Sequence, residues 1–428
     1  MFKKEIQGLG ITGELSTNYS LENSLKQNSS DSKKELLEAS RTAHEITPLN
    51  GILVVTSPFY SAIGPRLRDL LKLLTPFADT TYLLTGKLKD HVSENDSNVK
   101  HLIMDNNYLK RIRKKRNLMN RSISYAVSQL IMAKNLFEMR QQVKAVLFYQ
   151  SEMAVPALVG RLIRKKILVY VGGSGFRTLQ AGGLQSKLLS LPKFIEEVIA
   201  MSVAHKVITV TRSIPMPMLQ SKKVLVAPTR LFDREFFQGY RRKKKLDNKE
   251  PVIGFVGMLS PVKGIEELVD AFRLVTALIP NSRLLIVGDG LLREKVEAKI
   301  SKYSMRNNVW ITGWVEDVET YLNEMTLLVI PSKTEGLPNV LFEAIACDTP
   351  VLAMPVGAIP DIIKEGETGF LLKSNDPKHI ANRIIELLGK PELLEKVSVN
   401  AYRYVRENFS CKKTLEAWRR IFSELGLL

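Results

Sequence analysis

Short aliphatic runs alternate with helix-length stretches along most of this 428-residue sequence, and the alternation occurs in two series. The first series begins at residue 52, and the second restarts after residue 251. Parallel strands buried on both faces are apolar throughout, so such runs indicate strands joined by crossover helices. A chain of this length also exceeds one ordinary hydrophobic core. The sequence therefore predicts two doubly wound α/β domains with parallel sheets.

The two series set the predicted domain limits. Predicted strands of the first series are residues 52–55, 82–84, 102–104, 146–148, 167–171, 207–210 and 224–226, and those of the second are 253–257, 284–288, 309–312, 327–330 and 351–354. The predicted order is a polar tail (1–48), a first domain (49–235), a basic linker (236–250), a second domain (251–408) and a terminal helix (409–428).

Composition limits the compartment and the class of protein. The tail is rich in Ser, Asn, Lys and Glu, which predicts disorder. No run of eighteen apolar residues is present, so no membrane-spanning helix is predicted. Only Cys347 and Cys411 occur, far apart and without metal-ligand spacing, which favours a reducing compartment without disulfides or zinc. We expect a cytoplasmic protein.

Two acids mark a candidate ligand site in residues 326–355. Glu335 lies in the loop that follows an aliphatic strand, and Glu343 lies eight residues later in the second turn of a predicted helix. Ligands of open parallel sheets bind at this edge. The loop and helix start consist of Gly336, Leu337, Pro338, Asn339 and Val340. Backbone N–H groups at a helix start suit a diphosphate, whereas the two carboxylates suit sugar hydroxyls. The alternative is a solvated loop acid and a helix acid paired with a lysine.

The setting of these acids, EGLPNVLFEA, resembles the paired-glutamate motif of the retaining, nucleotide-sugar-dependent glycosyltransferases of family 4, the group 1 transferases of GT-B fold. The resemblance is strongest over residues 252–388. It implies that Glu335 contacts the donor sugar and Glu343 the nucleotide ribose. It also implies GT-B architecture, with two Rossmann-like domains facing a cleft and a C-terminal helix that crosses back to the first domain.

A second segment, GFVGMLSPVKG, is similar to the family's strand-to-helix loop after the first strand of the donor domain. In the family an arginine after the second glycine and a lysine five residues later hold the diphosphate. Lys263 matches the lysine, and a fixed ammonium can stabilise the charge that builds on the leaving group. Gly257 matches the second glycine, but Met258 stands at the arginine position. The alternative for Lys263 is a solvated surface lysine.

Glycines of the first domain complete the predicted site. By the same resemblance, Gly64 follows the first strand where a glycine loop approaches the donor diphosphate. The cluster of Gly172, Gly173 and Ser174 follows the fifth strand, where backbone can approach a ligand closely. We interpret this cluster as acceptor-side, with a simple turn as the alternative.

The net charge of +18 is unevenly distributed. Residues 106–137 carry eight basic side chains and no acidic one, including Arg113, Lys114, Lys115 and Arg116. A basic segment with interleaved apolar residues can lie on an anionic bilayer, so we expect a peripheral position on the inner face of the plasma membrane. The alternative is a solvated face. No nucleic-acid-binding motif accompanies the charge.

The sequence thus predicts a retaining glycosyltransferase that moves a sugar from a nucleotide-diphosphate donor to a glycan or lipid-linked acceptor. No Asp-x-Asp pair occurs, so no metal is expected, and no cofactor is expected besides the nucleotide sugar itself. Two alternatives remain. One is a GT-B epimerase or phosphorylase, and the other is a non-catalytic nucleotide-binding or interaction protein.

Overall fold

Two parallel sheets form the framework of the protein. The computed structural model describes residues 51–56, 65–86, 99–103, 118–172, 190–210, 223–227 and 250–428. In this part of the chain, the first sheet has seven strands and the second has six. The predicted tail and most of the predicted linker lie outside the described residues.

The first sheet has the strand order β3-β2-β1-β4-β5-β6-β7. Its strands are β1 (Ile52–Val55), β2 (Thr81–Thr85), β3 (Val99–Ile103), β4 (Ala145–Phe148), β5 (Lys166–Val171), β6 (Lys206–Thr209) and β7 (Val224–Val226). Its helices are α1 (Pro65–Leu74), α2 (Leu118–Glu138), α3 (Ala154–Leu162) and α4 (Ser190–Val203). Every residue of β1 and β4 is buried, as two covered faces require.

The order of the first sheet places its helices on two faces. The connections through α2, α3 and α4 all step in one direction across the sheet, while α1 connects β1 to β2 in the opposite direction. Parallel crossovers are right-handed, so α2, α3 and α4 lie side by side on one face and α1 lies on the other. Contacts of α3 with both α2 and α4 agree with this arrangement.

The second sheet has the order β10-β9-β8-β11-β12-β13. Its strands are β8 (Val252–Val256), β9 (Arg283–Val287), β10 (Val309–Gly313), β11 (Leu327–Ile330), β12 (Val351–Ala353) and β13 (Phe370–Leu371). The helices that follow are α5 (Ile265–Leu278), α6 (Arg293–Lys302), α7 (Val318–Glu324), α8 (Asn339–Ala346), α9 (Ile359–Ile362), α10 (Pro377–Leu388), α11 (Pro391–Asn408) and α12 (Cys411–Glu424). Its core is centred on the fully buried Phe272.

The sequence prediction differs from the structure at strand ends. β3 begins at Val99, three residues before the predicted start, because this edge strand pairs through a polar segment, with Val99 opposite Thr81. β8 ends one residue earlier than predicted, at Val256, where Gly257 adopts a positive φ of 147°. The sixth strand, β13, is missing from the prediction, since two residues are too short to form a recognisable pattern.

The C-terminal helix α12 connects the end of the chain to the first sheet's domain. Phe422 of α12 packs against Phe77, which follows α1, with ring centroids 5.1 Å apart. Glu424 accepts a hydrogen bond from Nζ of Lys206 at the start of β6. One side of this helix is buried, namely Leu415, Trp418 and Phe422, and so is Leu425 directly after it. The two α/β domains and the returning helix confirm the predicted fold class.

Candidate active site

Lys263 and Glu335 form an ion pair at the carboxyl edge of the second sheet. Nζ of Lys263 lies 2.6 Å from Oε1 of Glu335, and Oγ of Ser332 donates to the same oxygen over 2.7 Å. The Glu335 side chain is only 8% exposed and that of Lys263 is 30% exposed. A buried carboxylate is costly unless it is paired and hydrogen-bonded, so this pair fixes both side chains. The sequence predicted both residues, but not their contact.

The pair keeps unused hydrogen-bonding groups. Both contacts of the Glu335 carboxylate fall on Oε1, and Oε2 has no hydrogen-bond partner within the described residues. An ammonium group carries more N–H donors than the one that Lys263 directs to Glu335. The site can therefore offer an acceptor and cationic donors to a ligand while the ion pair persists.

Close packing of neighbouring loops fixes the backbone on which Lys263 and Glu335 stand. Gly264 follows Lys263 with a φ of 71°, and a Cβ there would lie 2.2 Å from the carbonyl oxygen of Pro331. Gly357 has a φ of 61°, and its Cβ would lie 2.3 Å from the carbonyl oxygen of Glu335. The left-handed conformation and the missing side chain are both needed at these positions. The segment from Pro331 to Glu335 thus packs against both the loop that follows β8 and the loop that follows β12.

Helix α8 begins four residues after Glu335. Its first turn follows Pro338, and Leu341 and Phe342 anchor it in the core. N–H groups in the first turn of a helix have no partner within the helix and point along its axis. Glu343 is half-buried in the second turn, where it makes contacts within the protein. Asn339 and Val340 are half-buried, and Leu337 is buried.

Met258 projects from a loop that is fixed on both sides of it. Gly257 N–H donates to the carbonyl of Val287 over 2.9 Å, and Leu259 N–H donates to the carbonyl of Asp289 over 2.9 Å. Leu259 is fully buried, whereas Met258 is 63% exposed. The thioether at the family's arginine position therefore faces solvent at the rim of the site.

Two further exposed apolar side chains follow the next two strands of the sheet, and sequence reasoning missed both. Leu291, after β9, is 92% exposed, and Trp314, directly after β10, is 75% exposed. The two loops are joined where Gly288 N–H donates to the carbonyl of Gly313 over 2.9 Å. Met258, Leu291 and Trp314 thus follow the consecutive strands β8, β9 and β10, and we define them together as the apolar rim. A large apolar residue in the loop that follows a predicted strand is the signal that could have identified them.

A polar network at the carboxyl edge of the first sheet was also missed. The hydroxyl of Tyr125 lies 2.6 Å from both Oε2 of Glu196 and the carbonyl of Glu152, and it accepts from Nε2 of Gln129 over 2.8 Å. Lys193 Nζ lies 3.3 Å from Oε2 of Glu152. The residues of this network lie far apart in the sequence, on α2, on α4 and in the loop after β4. No local sequence pattern therefore predicts the network.

The Tyr125 hydroxyl has two acceptors within hydrogen-bond distance. A phenol has one proton and cannot donate to two acceptors at once. Burial raises the pKa of Glu196, and burial together with Glu196 raises the pKa of Tyr125. A protonated Glu196 can donate to the Tyr125 hydroxyl, which then donates to the Glu152 carbonyl.

Gly172 follows β5, and a Cβ there would lie 3.0 Å from the ring of Tyr170. That ring stacks on Tyr149, with centroids 5.4 Å apart. The remaining predicted residues of the first domain, namely Gly64, Gly173, Ser174, Arg113, Lys114, Lys115 and Arg116, lie outside the described residues.

Two kinds of feature are absent from the described residues. These residues contain no group of three or more His, Cys, Asp or Glu side chains that could hold a metal ion. None of the described helices is long and apolar enough to cross a membrane.

Most of the second domain is similar to a known family. Residues 236–404 match the sequence model of "Glycosyl transferases group 1". The capsular polysaccharide biosynthesis glycosyltransferase CapM of Staphylococcus aureus is 33% identical over 39% of this chain and 44% of its own length. The N-acetyl-alpha-D-glucosaminyl L-malate synthase of Bacillus anthracis is 26% identical over 61% of this chain and 68% of its own length. The match to CapM thus spans less than half of that relative.

The fold extends over nearly the whole chain. HepE of Anabaena, solved in complex with UDP, has a TM-score of 0.65 at 17% identity, covering 88% of this chain and 100% of its own. The sucrose-phosphate synthase of Thermosynechococcus elongatus has a TM-score of 0.66 at 18% identity, covering 88% and 98%. At such identities the likeness concerns the fold alone. Residues 236–404 are therefore similar to the group 1 glycosyl transferases, and the chain has the GT-B fold, as the sequence predicted.

Proposed function

We propose that the protein transfers a sugar from a nucleotide-diphosphate donor to an acceptor hydroxyl, with retention of anomeric configuration. The observation that carries this proposal is the 2.6 Å pair of Lys263 and Glu335, which leaves the second carboxylate oxygen of Glu335 unused four residues before α8 begins. Retention follows from the resemblance of the paired glutamates to those of the family. The same resemblance gives the donor its orientation.

In this proposal each part of the donor has a complementary group. The diphosphate lies against the first turn of α8 and the Lys263 ammonium, which both favour negative charge. Oε2 of Glu335 accepts from a hydroxyl of the donor sugar, and Glu343 accepts from the ribose. The apolar rim of Met258, Leu291 and Trp314 offers a surface for a nucleobase, since aromatic and apolar side chains stack on flat rings.

Sugar transfer in this proposal uses the donor phosphate, the acceptor hydroxyl, Lys263 and the first turn of α8. The acceptor oxygen forms a bond to the anomeric carbon as the bond from that carbon to the phosphate oxygen breaks. The acceptor's proton passes to the departing phosphate oxygen, and the nucleoside diphosphate leaves. Lys263 and the helix dipole stabilise the charge that develops on the leaving group. No metal ion is needed for this neutralisation.

The acceptor in this proposal is a glycan or a lipid-linked glycan at an anionic membrane surface. The Staphylococcus aureus relative is named for capsular polysaccharide biosynthesis, which supports a glycan acceptor. The net charge of +18 supports attraction to an anionic surface. The first domain would hold the acceptor near Gly172 and the Tyr125 network.

The test replaces each member of the pair by alanine. Lys263→Ala and Glu335→Ala should lower kcat about 10²-fold or more, as loss of one transition-state stabiliser does. Lys333→Ala is the matched control, because Lys333 lies in the Glu335 loop but pairs with Glu267 at 2.6 Å. A panel of nucleotide sugars supplies the donor, and release of nucleoside diphosphate is the readout.

Glu343→Ala separates donor binding from chemistry. It should raise the donor KM and weaken nucleotide binding in calorimetry while changing kcat less than the other two substitutions. Unchanged rates in well-folded Lys263 and Glu335 variants, or no nucleotide binding by the wild type at millimolar concentration, would contradict the proposal.

A further inference from the structure

Three neighbouring helices of the first domain expose large apolar side chains to solvent. We define the apolar face as the exposed residues Ile123, Leu130 and Phe137 of α2, Val155, Leu158 and Leu162 of α3, and Leu191 and Ile195 of α4. Single exposed apolar residues are common in monomeric proteins, but large contiguous groups mark interaction sites. Eight on three adjacent helices therefore require an explanation.

Helical spacing places these side chains on the outer side of each helix. On α2 they recur every seven residues, and on α3 they follow at intervals of three and four. Both spacings return to the same side of an α-helix. The opposite sides of the same helices face the sheet, where Leu136, Ala157 and Ala200 are buried. Because α3 lies between α2 and α4, the exposed side chains form one broad surface.

The exposed charges in this part of the first domain are mainly positive. Across residues 123–172 and 190–210, the exposed basic residues are Lys134, Arg140, Lys144, Arg161 and Arg164, whereas Glu138 is the one exposed acidic residue in these ranges. The guanidinium of Arg140 lies 4.3 Å from the centroid of the Phe137 ring. Long basic side chains can cover apolar surface with their stems while their charged ends reach an anionic layer.

We propose that the apolar face of α2, α3 and α4 rests on an anionic lipid bilayer. The apolar side chains enter the boundary between headgroups and acyl chains, and the basic residues contact the headgroups. The face is broad and lies along helices that run side by side, which suits a planar surface. This inference deepens the membrane part of the proposed function and rests on it only for the location of the acceptor.

Charge argues against a second copy of the chain as the occupant. A two-fold interface places the same patch on both partners, so the basic residues of one copy would face those of the other. Like charges brought together across an interface cost free energy. An anionic bilayer is complementary in both charge and apolarity.

The test compares two double variants of the full chain for binding to vesicles. Leu130→Ser with Leu162→Ser removes two exposed side chains of the apolar face, while Leu278→Ser with Val399→Ser removes two exposed side chains of the second domain. With phosphatidylglycerol-containing vesicles in co-sedimentation, the first pair should weaken binding at least about tenfold, because each lost leucine removes a buried apolar contribution. The second pair should bind as the wild type does. All four residues are exposed, so both variants should keep the wild-type melting temperature.

A fluorescence measurement locates the contact directly. The indole of Leu158→Trp should be quenched by brominated lipids in anionic vesicles, and that of Leu278→Trp should not. Equal vesicle binding by both double variants would overturn the proposal, as would a wild type that does not bind or that binds neutral vesicles equally. A wild-type dimer that Leu130→Ser with Leu162→Ser converts to a monomer would also overturn it, by assigning the face to self-association.

The outcome can be separated from that of the proposed function. Vesicle binding is measured without a donor, and nucleoside-diphosphate release is measured with a soluble acceptor and without vesicles. A protein that turns over donor but does not bind vesicles overturns this inference alone. A protein that binds vesicles through the apolar face but does not turn over donor overturns the proposed catalysis alone.

Discussion

In the proposed donor site, the thioether of Met258 stands at a position where the resemblance implies a cation. It cannot donate a hydrogen bond to a phosphate, and at 63% exposure it has room for a larger side chain. Met258→Arg should therefore tighten nucleoside-diphosphate binding about tenfold or more, since a hydrogen bond to a charged group contributes about 1.5–3 kcal/mol. Calorimetric titration of wild type and variant measures this gain, with Met258→Leu as the neutral control.

An unchanged affinity would mean that another cation already serves the diphosphate. The two candidates in the sequence are Arg66, shortly after β1, and Arg230, shortly after β7. Their side chains lie outside the described residues. Alanine substitution of each would then identify the one that weakens nucleotide binding.

His205 provides a pH-dependent contribution to stability. Its Nδ1 accepts from the Ile167 backbone N–H over 2.9 Å, and its Nε2 contacts the Arg161 guanidinium. Burial and the charges of Arg161, Lys166 and Lys223 lower the pKa of His205 from 6.5 to about 4. Between the two pKa values the unfolded chain binds more protons at His205 than the folded chain does. The free energy of unfolding therefore decreases as pH falls from about 6.5 through about 4.

The variant His205→Asn keeps a hydrogen-bond acceptor but does not titrate in this range. The wild type should therefore lose more melting temperature than the variant when pH falls from about 7.5 to about 4.5. Parallel pH profiles from differential scanning calorimetry would show that His205 does not provide this linkage.

Sequence reasoning proposed individual site residues, but it did not predict their contacts. Glu335, Glu343 and Lys263 stand in motifs a few residues long, so they could be predicted. The ion pair joins residues 72 apart, and its geometry depends on how two loops pack. The Tyr125 and Glu196 hydrogen bond spans 71 residues and has no motif at all. Long-range contacts between side chains do not leave a periodic signal in the sequence.

Two glycine turns in the second domain test how loop packing holds Glu335. Gly357 and Gly366 have similar φ values, 61° and 69°. A Cβ at Gly357 would lie 2.3 Å from the carbonyl oxygen of Glu335, whereas a Cβ at Gly366 would meet no atom of the described residues within 4 Å. Gly366→Ala should therefore lose only about 1–2 kcal/mol of unfolding free energy from its left-handed backbone. Gly357→Ala should lose more and should also lower kcat.

Gly357→Ala should be more harmful than Gly366→Ala because it displaces the loop that carries Glu335. An alanine at position 357 must move the Glu335 carbonyl, and it strains the hydrogen bond from Ala358 N–H to the Gly336 carbonyl, which is 2.8 Å long. Urea unfolding and steady-state kinetics measure the two effects. Equal kcat values for both variants would show that the loop adapts without moving Glu335.

The strands themselves were more predictable than their ends. Buried runs such as β1 and β11 match the predicted residues because hydrophobicity fills both faces of a central strand. Edge strands need less burial, which explains the late predicted start of β3 and the absence of β13 from the prediction. Element type is therefore encoded locally, while the limits of edge elements depend on their neighbours.

Helix α12, the last element of the chain, follows the second domain in sequence but packs against the first. The first sheet is complete at β7, and the second sheet's domain follows it entirely in sequence. Without α12, contact between the domains would depend on the segment between β7 and β8 and on any direct domain interface. Phe422 is buried against Phe77, which makes this aromatic pair a point where the two domains are coupled.

A double-mutant cycle measures this coupling. Phe422→Ala should lower the free energy of unfolding by about 3–5 kcal/mol, as loss of a buried phenylalanine does. The cycle of Phe77→Ala with Phe422→Ala should give an interaction energy of about 0.5–1.5 kcal/mol, the usual value for an aromatic pair. Phe409, which packs on Phe342 at 5.3 Å within the second domain, provides the control, and its cycle with Phe77→Ala should be close to additive. Urea unfolding of the single and double variants gives these energies. Additive losses for Phe77 and Phe422 would show that α12 is held to the first domain by other contacts, such as that of Glu424 with Lys206.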